Sequence, residues 1–292
     1  MAAVTLGYLK FIKIMNNAQD LCKINLFDSA SMQDVKNYIH RGHRQFNDDN
    51  NATGFIEYQY YGLDEEKYEH KFEKFTYVIN EYGFREERIS QSIDCGAFGC
   101  SFTFGQGLPK NALWHQIIAR EQNKTIFNFG ISGASIQSIL DIFCIVSKHI
   151  KMQSALVLLP SYNRFQLAKT NPWGKISLLT VIPGHKSNFN QKCEIDETTV
   201  YKILPDEEFV KNLKNSVYQA EHLAKARNIK LSISSWDVTT YVFLQSLNLN
   251  NAKLMPRWFT PHDLVNDRAR DGQHPGIGHH NLHAKTFAPF ID

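Results

Sequence analysis

The chain has 292 residues, enough to bury a substantial core, and one large domain with an extension is the expectation. Hydrophobic residues make up 43% and charged residues 21%, as in an ordinary soluble globular protein, and a net charge of +3 gives no basis for nucleic-acid binding. No apolar run approaches the ~18 residues of a membrane-spanning helix, and Val4–Lys13 is broken by lysines with no small-residue cleavage site, so neither a membrane association nor a signal peptide is expected.

The first 90 residues read as an α+β extension packed on the core. Ser29 to Phe46 has helical character with candidate caps at Ser29 or Ser31, followed by the polar turn Asp48-Asp49-Asn50-Asn51. Gly54 to Tyr61 and Phe75 to Ile79 are aromatic or β-branched runs with strand character. From residue 91 strands and helices alternate. Ile93 to Cys100 is a short apolar run ending in glycine and serine, a buried strand. Asn111 to Glu121 places Leu113, Ile117 and Ile118 at helical spacing after Pro109, and Thr125 to Asn128 reads as a second strand. Ser135 to His149 is a helix with a wide apolar face, and Ala155 to Leu159 is the clearest buried strand. Asp206 to Ala226 is a long amphipathic helix, Ile229 to Ser234 a further strand, and Gly278 to Phe287 a last helical stretch. Such alternation implies right-handed crossovers and a mainly parallel sheet covered on both faces, with the ligand cleft beyond the carboxyl ends of the strands.

Two stretches, Thr170 to Val200 and Asn248 to Arg270, are weakly periodic and read as long connections. Loops of that length in a compact domain are often functional, which makes Trp173 and Trp258 candidates for lining a substrate cleft, with ordinary packing the competing reading.

Chemistry concentrates in two places. Phe98-Gly99-Cys100-Ser101-Phe102-Thr103-Phe104-Gly105 puts a serine on a glycine-flanked turn after a strand, and Asp271-Gly272-Gln273-His274-Pro275 supplies an acid and a base three residues apart. Serine is a poor nucleophile at neutral pH unless an imidazole takes its proton, and the imidazole needs a carboxylate to fix its tautomer. Ser101, His274 and Asp271 are therefore the candidate triad.

Four blocks in this order resemble the SGNH (GDSL-like) hydrolases. The Gly99–Gly105 segment is similar to that family's Gly-Asp-Ser-x-Thr-x-Gly nucleophile block, with Cys100 in place of the aspartate. Asn128-Phe129-Gly130-Ile131-Ser132-Gly133 resembles the segment whose glycine amide binds the oxyanion, which Gly133 matches. Pro160-Ser161-Tyr162-Asn163-Arg164 sits where the family has Gly-x-Asn-Asp. Asn163 matches the oxyanion asparagine, while Ser161 and Arg164 depart from the pattern. Asp271 to Pro275 matches Asp-x-x-His-Pro. Asn80 to Arg85 also resembles a segment found upstream of the nucleophile block in bacterial-type members. The resemblance implies a three-layer α/β/α flavodoxin-like core over residues 91–292, with a mainly parallel five-stranded sheet in the order 2-1-3-4-5. It also implies an oxyanion site formed by the amides of Ser101 and Gly133 and the Asn163 side chain.

Competing readings narrow the list. The five cysteines are odd in number and lack CxxC spacing, which fits reduced thiols in a cytoplasmic setting better than disulfides or zinc. If Cys100 ends a strand, it faces the core while Ser101 faces the cleft, so the cysteine is read as packing. His279, His280 and His283 lack the glutamate of an HExxH-type site and read as solvated or capping residues, with no metal expected. The sequons at Asn51 and Asn123 are read as chance matches.

The expectation is a serine-dependent esterase of SGNH type with no metal or organic cofactor. By resemblance its substrate is a small acyl ester, including O-acetylated carbohydrate. Two alternatives stay open: a catalytically silent glycan-binding or structural protein on the same fold, and an O-acyltransferase.

Overall fold

The computed structural model describes residues 77–80, 82–170, 176–181, 206–258, 267–269 and 274–291. The predicted helix and strands before residue 77, Trp173, Asp271 and most of the two long connections lie outside these residues.

The elements follow the predicted alternation closely. They are β1 (Ser92–Gly99), α1 (Ser101–Phe104), α2 (Trp114–Gln122), β2 (Ile126–Gly130), α3 (Ile136–His149), β3 (Lys151–Leu159), β4 (Phe165–Thr170), β5 (Ile176–Val181), α4 (Asp206–Ala226), β6 (Lys230–Ser235), α5 (Val238–Ser246), β7 (Ala252–Leu254) and α6 (Ile277–Phe287). The main sheet has the order β2-β1-β3-β6-β7, parallel at every pairing, which is the 2-1-3-4-5 arrangement that the resemblance implied. β4 and β5 form a separate antiparallel pair.

Alternation along β3 shows how the layers are built. Ala155, Val157 and Leu159 belong to one core with the apolar faces of α3 and α4, while Leu156 and Leu158 belong to the other with α2 and α6. α3 starts where expected, at Ser135, whose hydroxyl accepts from the Ser138 amide at 3.2 Å. Cys100 is fully buried in the α3–α4 core, as its strand-end position predicted.

Three expectations are corrected. The Asn248 to Arg270 connection contains β7, whose three residues are too few to display a two-residue period. The Thr170 to Val200 connection contains β5, paired with β4 at its threshold. α5, absent from the sequence reading, begins at Asp237, whose carboxylate caps the Thr240 amide at 2.8 Å. At the other end, Tyr77, Ile79, Phe84 and Arg85 are buried. Among the described residues no helix is long and apolar enough to cross a membrane.

Candidate active site

Ser101 opens α1 directly beyond β1, at the carboxyl edge where the cleft was expected. β1 lies between β2 and β3, with Gly99 in register with Gly130 on one side and Leu158 on the other. α1 folds back so tightly that a Cβ on Gly130 would lie 2.3 Å from the Phe104 nitrogen, so only glycine fits. Gly105 ends the turn at φ 79, a left-handed conformation that glycine takes without strain, and its amide donates to the Ser101 carbonyl.

Buried polar side chains satisfy the carbonyls that so short a helix leaves open. Arg85, almost fully buried, donates from Nη1 to Phe104 O at 2.9 Å and Gly105 O at 2.7 Å, and from Nη2 to Leu108 O at 2.6 Å. Its guanidinium stacks 4.3 Å from the centre of the Tyr77 ring, whose hydroxyl accepts from the Gly107 amide. Asn128 Nδ2 donates to Phe104 O, and its Oδ1 accepts from the Gly130 amide at 2.9 Å. The Asn128 amide in turn donates to Glu86, which pairs with Lys110 at 2.8 Å. Burial pushes the Glu86 carboxyl up, and Lys110 works against that. His115 Nε2 lies 3.1 Å from Thr103 O and donates to it, with burial lowering the imidazole to about 3. The sequence reading missed this cradle. Its one signal was the Asn80 to Arg85 segment, noted only as a resemblance.

His274 approaches from the far end of the chain. The Ala269 amide donates to the His274 carbonyl at 2.8 Å, and Arg268 bridges to Pro275, closing a short antiparallel contact around the turn. Asp267 then caps α6, its two carboxylate oxygens accepting from the Gly278 and His279 amides at 3.2 and 2.5 Å. With its backbone so tied, the His274 ring meets Phe102 edge-on, 5.9 Å between centres. Phe102 is the residue after Ser101. The two specific sequence blocks are therefore brought to one place. Asp271 lies outside the described residues.

The other edge of the site joins the remaining blocks. Gly133 sits beyond β2 at φ 76, and Asn163 follows β3. The Ser161 hydroxyl donates to Asn163 Oδ1 at 2.8 Å, which occupies the carbonyl of the carboxamide and leaves its NH₂ as the donor. Arg164 Nη1 reaches the carbonyl of Ala134, the residue after Gly133, at 3.4 Å. The Arg164 guanidinium carbon lies 5.6 Å from the centre of the Trp236 ring. Trp236 was not singled out by sequence, although it follows the fourth strand of the parallel sheet at the same edge as the other site residues. Its indole N–H donates to Cys100 Sγ at 3.3 Å, and its ring stacks on Phe102 at 5.0 Å. Contacts thus run without a break from Ala134 through Arg164, Trp236 and Phe102 to His274.

Two expectations fail here. Trp258 does not line a cleft wall: it is fully buried, stacked 3.8 Å on His283 and packed edge-on against Trp114. His279, His280 and His283 are buried rather than solvated. His280 Nδ1 accepts from the Trp114 amide at 3.0 Å. Desolvation holds that imidazole well below its ordinary value and lowers His283 to about 3. Among the described residues no three histidine, cysteine or acidic side chains are grouped to hold a metal ion. Cys95, Cys100 and Cys144 are buried free thiols, and burial pushes Cys95 and Cys144 up to about 12.

A parallel 2-1-3-4-5 sheet carries a serine turn after its first strand and a histidine turn leading into its last helix. The chain has a three-layer α/β/α fold on a five-stranded parallel sheet of flavodoxin-like order. No family model and no curated protein matches the sequence. Among solved structures, the chain is similar to a protein assigned to the G-D-S-L lipolytic family from Desulfitobacterium hafniense (9% identity, TM-score 0.42, 69% of this chain and 99% of that one). It is similar as well to the psychrotrophic esterase EstA from Pseudoalteromonas (13%, 0.42, 69% and 97%). A third is the acetyl xylan esterase Est2A from the rumen bacterium Butyrivibrio proteoclasticus (11%, 0.41, 75% and 67%).

Proposed function

We propose that the protein is a serine-dependent ester hydrolase. One observation carries this reading: His274, on a separately anchored turn before α6, packs against Phe102, next to the serine that opens α1. Ser101 Oγ attacks the ester carbonyl while the His274 imidazole takes its proton, and Asp271 orients that imidazole and stabilises its charged form. The first-turn amide of Ser101 has no helical partner. With the Gly133 amide and the Asn163 carboxamide it holds the negative oxygen of the tetrahedral intermediate. Collapse expels the alcohol, which takes its proton from His274, and leaves acyl-Ser101. A water deprotonated by His274 then releases the acid. By resemblance the substrate is a small acyl ester, with O-acetylated carbohydrate as the first class to try.

A fluorophosphonate probe tests the reading, because only an activated serine labels. The native chain is expected to label. Ser101→Ala removes the acceptor, and His274→Ala slows labelling by on the order of 10⁴-fold or more, both with unchanged circular dichroism. Asp271→Ala costs less. A folded native chain that does not label would leave the fold as a binding scaffold instead.

A further inference from the structure

Arg164 stands where the motif it resembles has an aspartate, so the charge beside the oxyanion residue Asn163 is inverted in this chain. Its surroundings give the guanidinium little to do. It makes a 3.4 Å bond from Nη1 to Ala134 O and lies over the Trp236 ring. Among the described residues no carboxylate pairs with it, and Nε is buried with no hydrogen-bond partner. A buried donor left unmade is costly, and five guanidinium N–H groups are far from satisfied by one long bond. The guanidinium carbon lies 5.6 Å from the centre of the Trp236 ring. Cys100 and Phe102 hold that ring in turn, so the cation is tied to the residues on either side of Ser101. The flat fork of an arginine matches a carboxylate through two parallel bonds.

We infer that the ester substrate carries a carboxylate that Arg164 binds, as in the acyl ester of an acidic sugar. Trp236 is the aromatic surface beside which the guanidinium rests. The inference rests on the hydrolase reading for the word substrate, but the anion site itself does not need turnover.

The test uses the full chain and two probes differing in one group: an O-acetylated methyl glucuronate and the methyl glucoside acetylated at the same position. The native chain is expected to prefer the glucuronate in kcat/KM by roughly 10- to 100-fold, the worth of a charge-assisted pair. Arg164→Gln should erase that preference while leaving the glucoside rate within about threefold, and Arg164→Lys, which keeps charge without the fork, should fall between. Equal kcat/KM for both probes in the native chain overturns the inference, as do equal losses on both in Arg164→Gln. If neither probe is turned over, the hydrolase reading has failed separately. Calorimetry with unacetylated methyl glucuronate and methyl glucoside on Ser101→Ala then decides. A glucuronate preference that Arg164→Gln or Arg164→Lys diminishes upholds the anion site, and no preference overturns it.

Discussion

The turns after β1 and β3 are neighbours at one sheet edge, yet they are built in opposite ways. The Ser101 turn is buried. Arg85 and Asn128 take up the carbonyls at the end of α1, His115 takes that of Thr103, and Gly130 gives way to α1's backbone. The Asn163–Arg164 turn is half-buried. It is held by one hydroxyl bond from Ser161, one backbone bond from Arg164 N to Ser161 O, and the long reach to Ala134. On the proposed reading Ser101 is a nucleophile that loses rate if it moves by a fraction of an ångström, and its over-determined support suits that role. On the same reading the loosely tied side meets the varied part of the substrate, where a changed residue disturbs little else.

The most direct way to break this contrast is to remove the cradle. Arg85→Met removes three hydrogen bonds to buried carbonyls, that of Leu108 losing the donor described for it, and is expected to cost about 3–5 kcal/mol in urea unfolding, against about 0.5 kcal/mol or less for Arg164→Gln. Equal costs would mean that the two turns are equally structural. Asn163→Ala should then separate chemistry from folding: kcat falls about 10²- to 10³-fold with little change in KM and in stability, since the bond matters only as negative charge develops. A rise in KM alone would move Asn163 from the oxyanion to ground-state binding.

Acid should loosen the packed side first. His115 and His283, lowered to about 3 in the fold against 6.5 in the open chain, remain neutral while the unfolded chain takes up protons. Stability is then full above about pH 6.5 and falls towards pH 3, by about 1.4 kcal/mol per pH unit for each histidine. Arg85 and Lys110 near His115, and Arg257 and His279 near His283, deepen the effect by opposing a further positive charge. A urea midpoint unchanged between pH 7 and pH 5 would contradict neutral burial. The smallest effect belongs to Cys100, which lies between the two turns. Cys100→Ala removes a weak sulfur acceptor and should cost about 1 kcal/mol while keeping most fluorophosphonate labelling. Ester hydrolysis lost in a folded Cys100→Ala chain but kept in Ser101→Ala would make the thiol the nucleophile.

The sheet was legible in the sequence because buried parallel strands are continuous apolar runs, and Ser101, Gly133 and Asn163 each fall just past one of them. What escaped depends on partners distant in the chain. Arg85 looks like any surface arginine until Tyr77 and three carbonyls from another segment surround it. His279, His280 and His283 look solvated by polarity, and it is Trp114 and Trp258, from two other segments, that pack against the latter two. Trp258 attracted a cleft role because its loop is long, but length says nothing of which way an indole turns. Trp236 was passed over because the strand reading stopped at Ser234, one residue short of its end. α5 escaped because Val238 and Val242 face outward, leaving no apolar stripe to detect.

The meeting of Phe102 with His274 joins segments from opposite ends of the described core. No local stretch of chain contains both halves, so on the proposed reading a nascent or truncated chain ending before the His274 turn has a finished serine turn and nothing to activate it. Recovery of labelling after dilution from urea would therefore track the last long-range docking event rather than formation of the sheet, and reactivity towards the probe becomes a clock for the completion of folding.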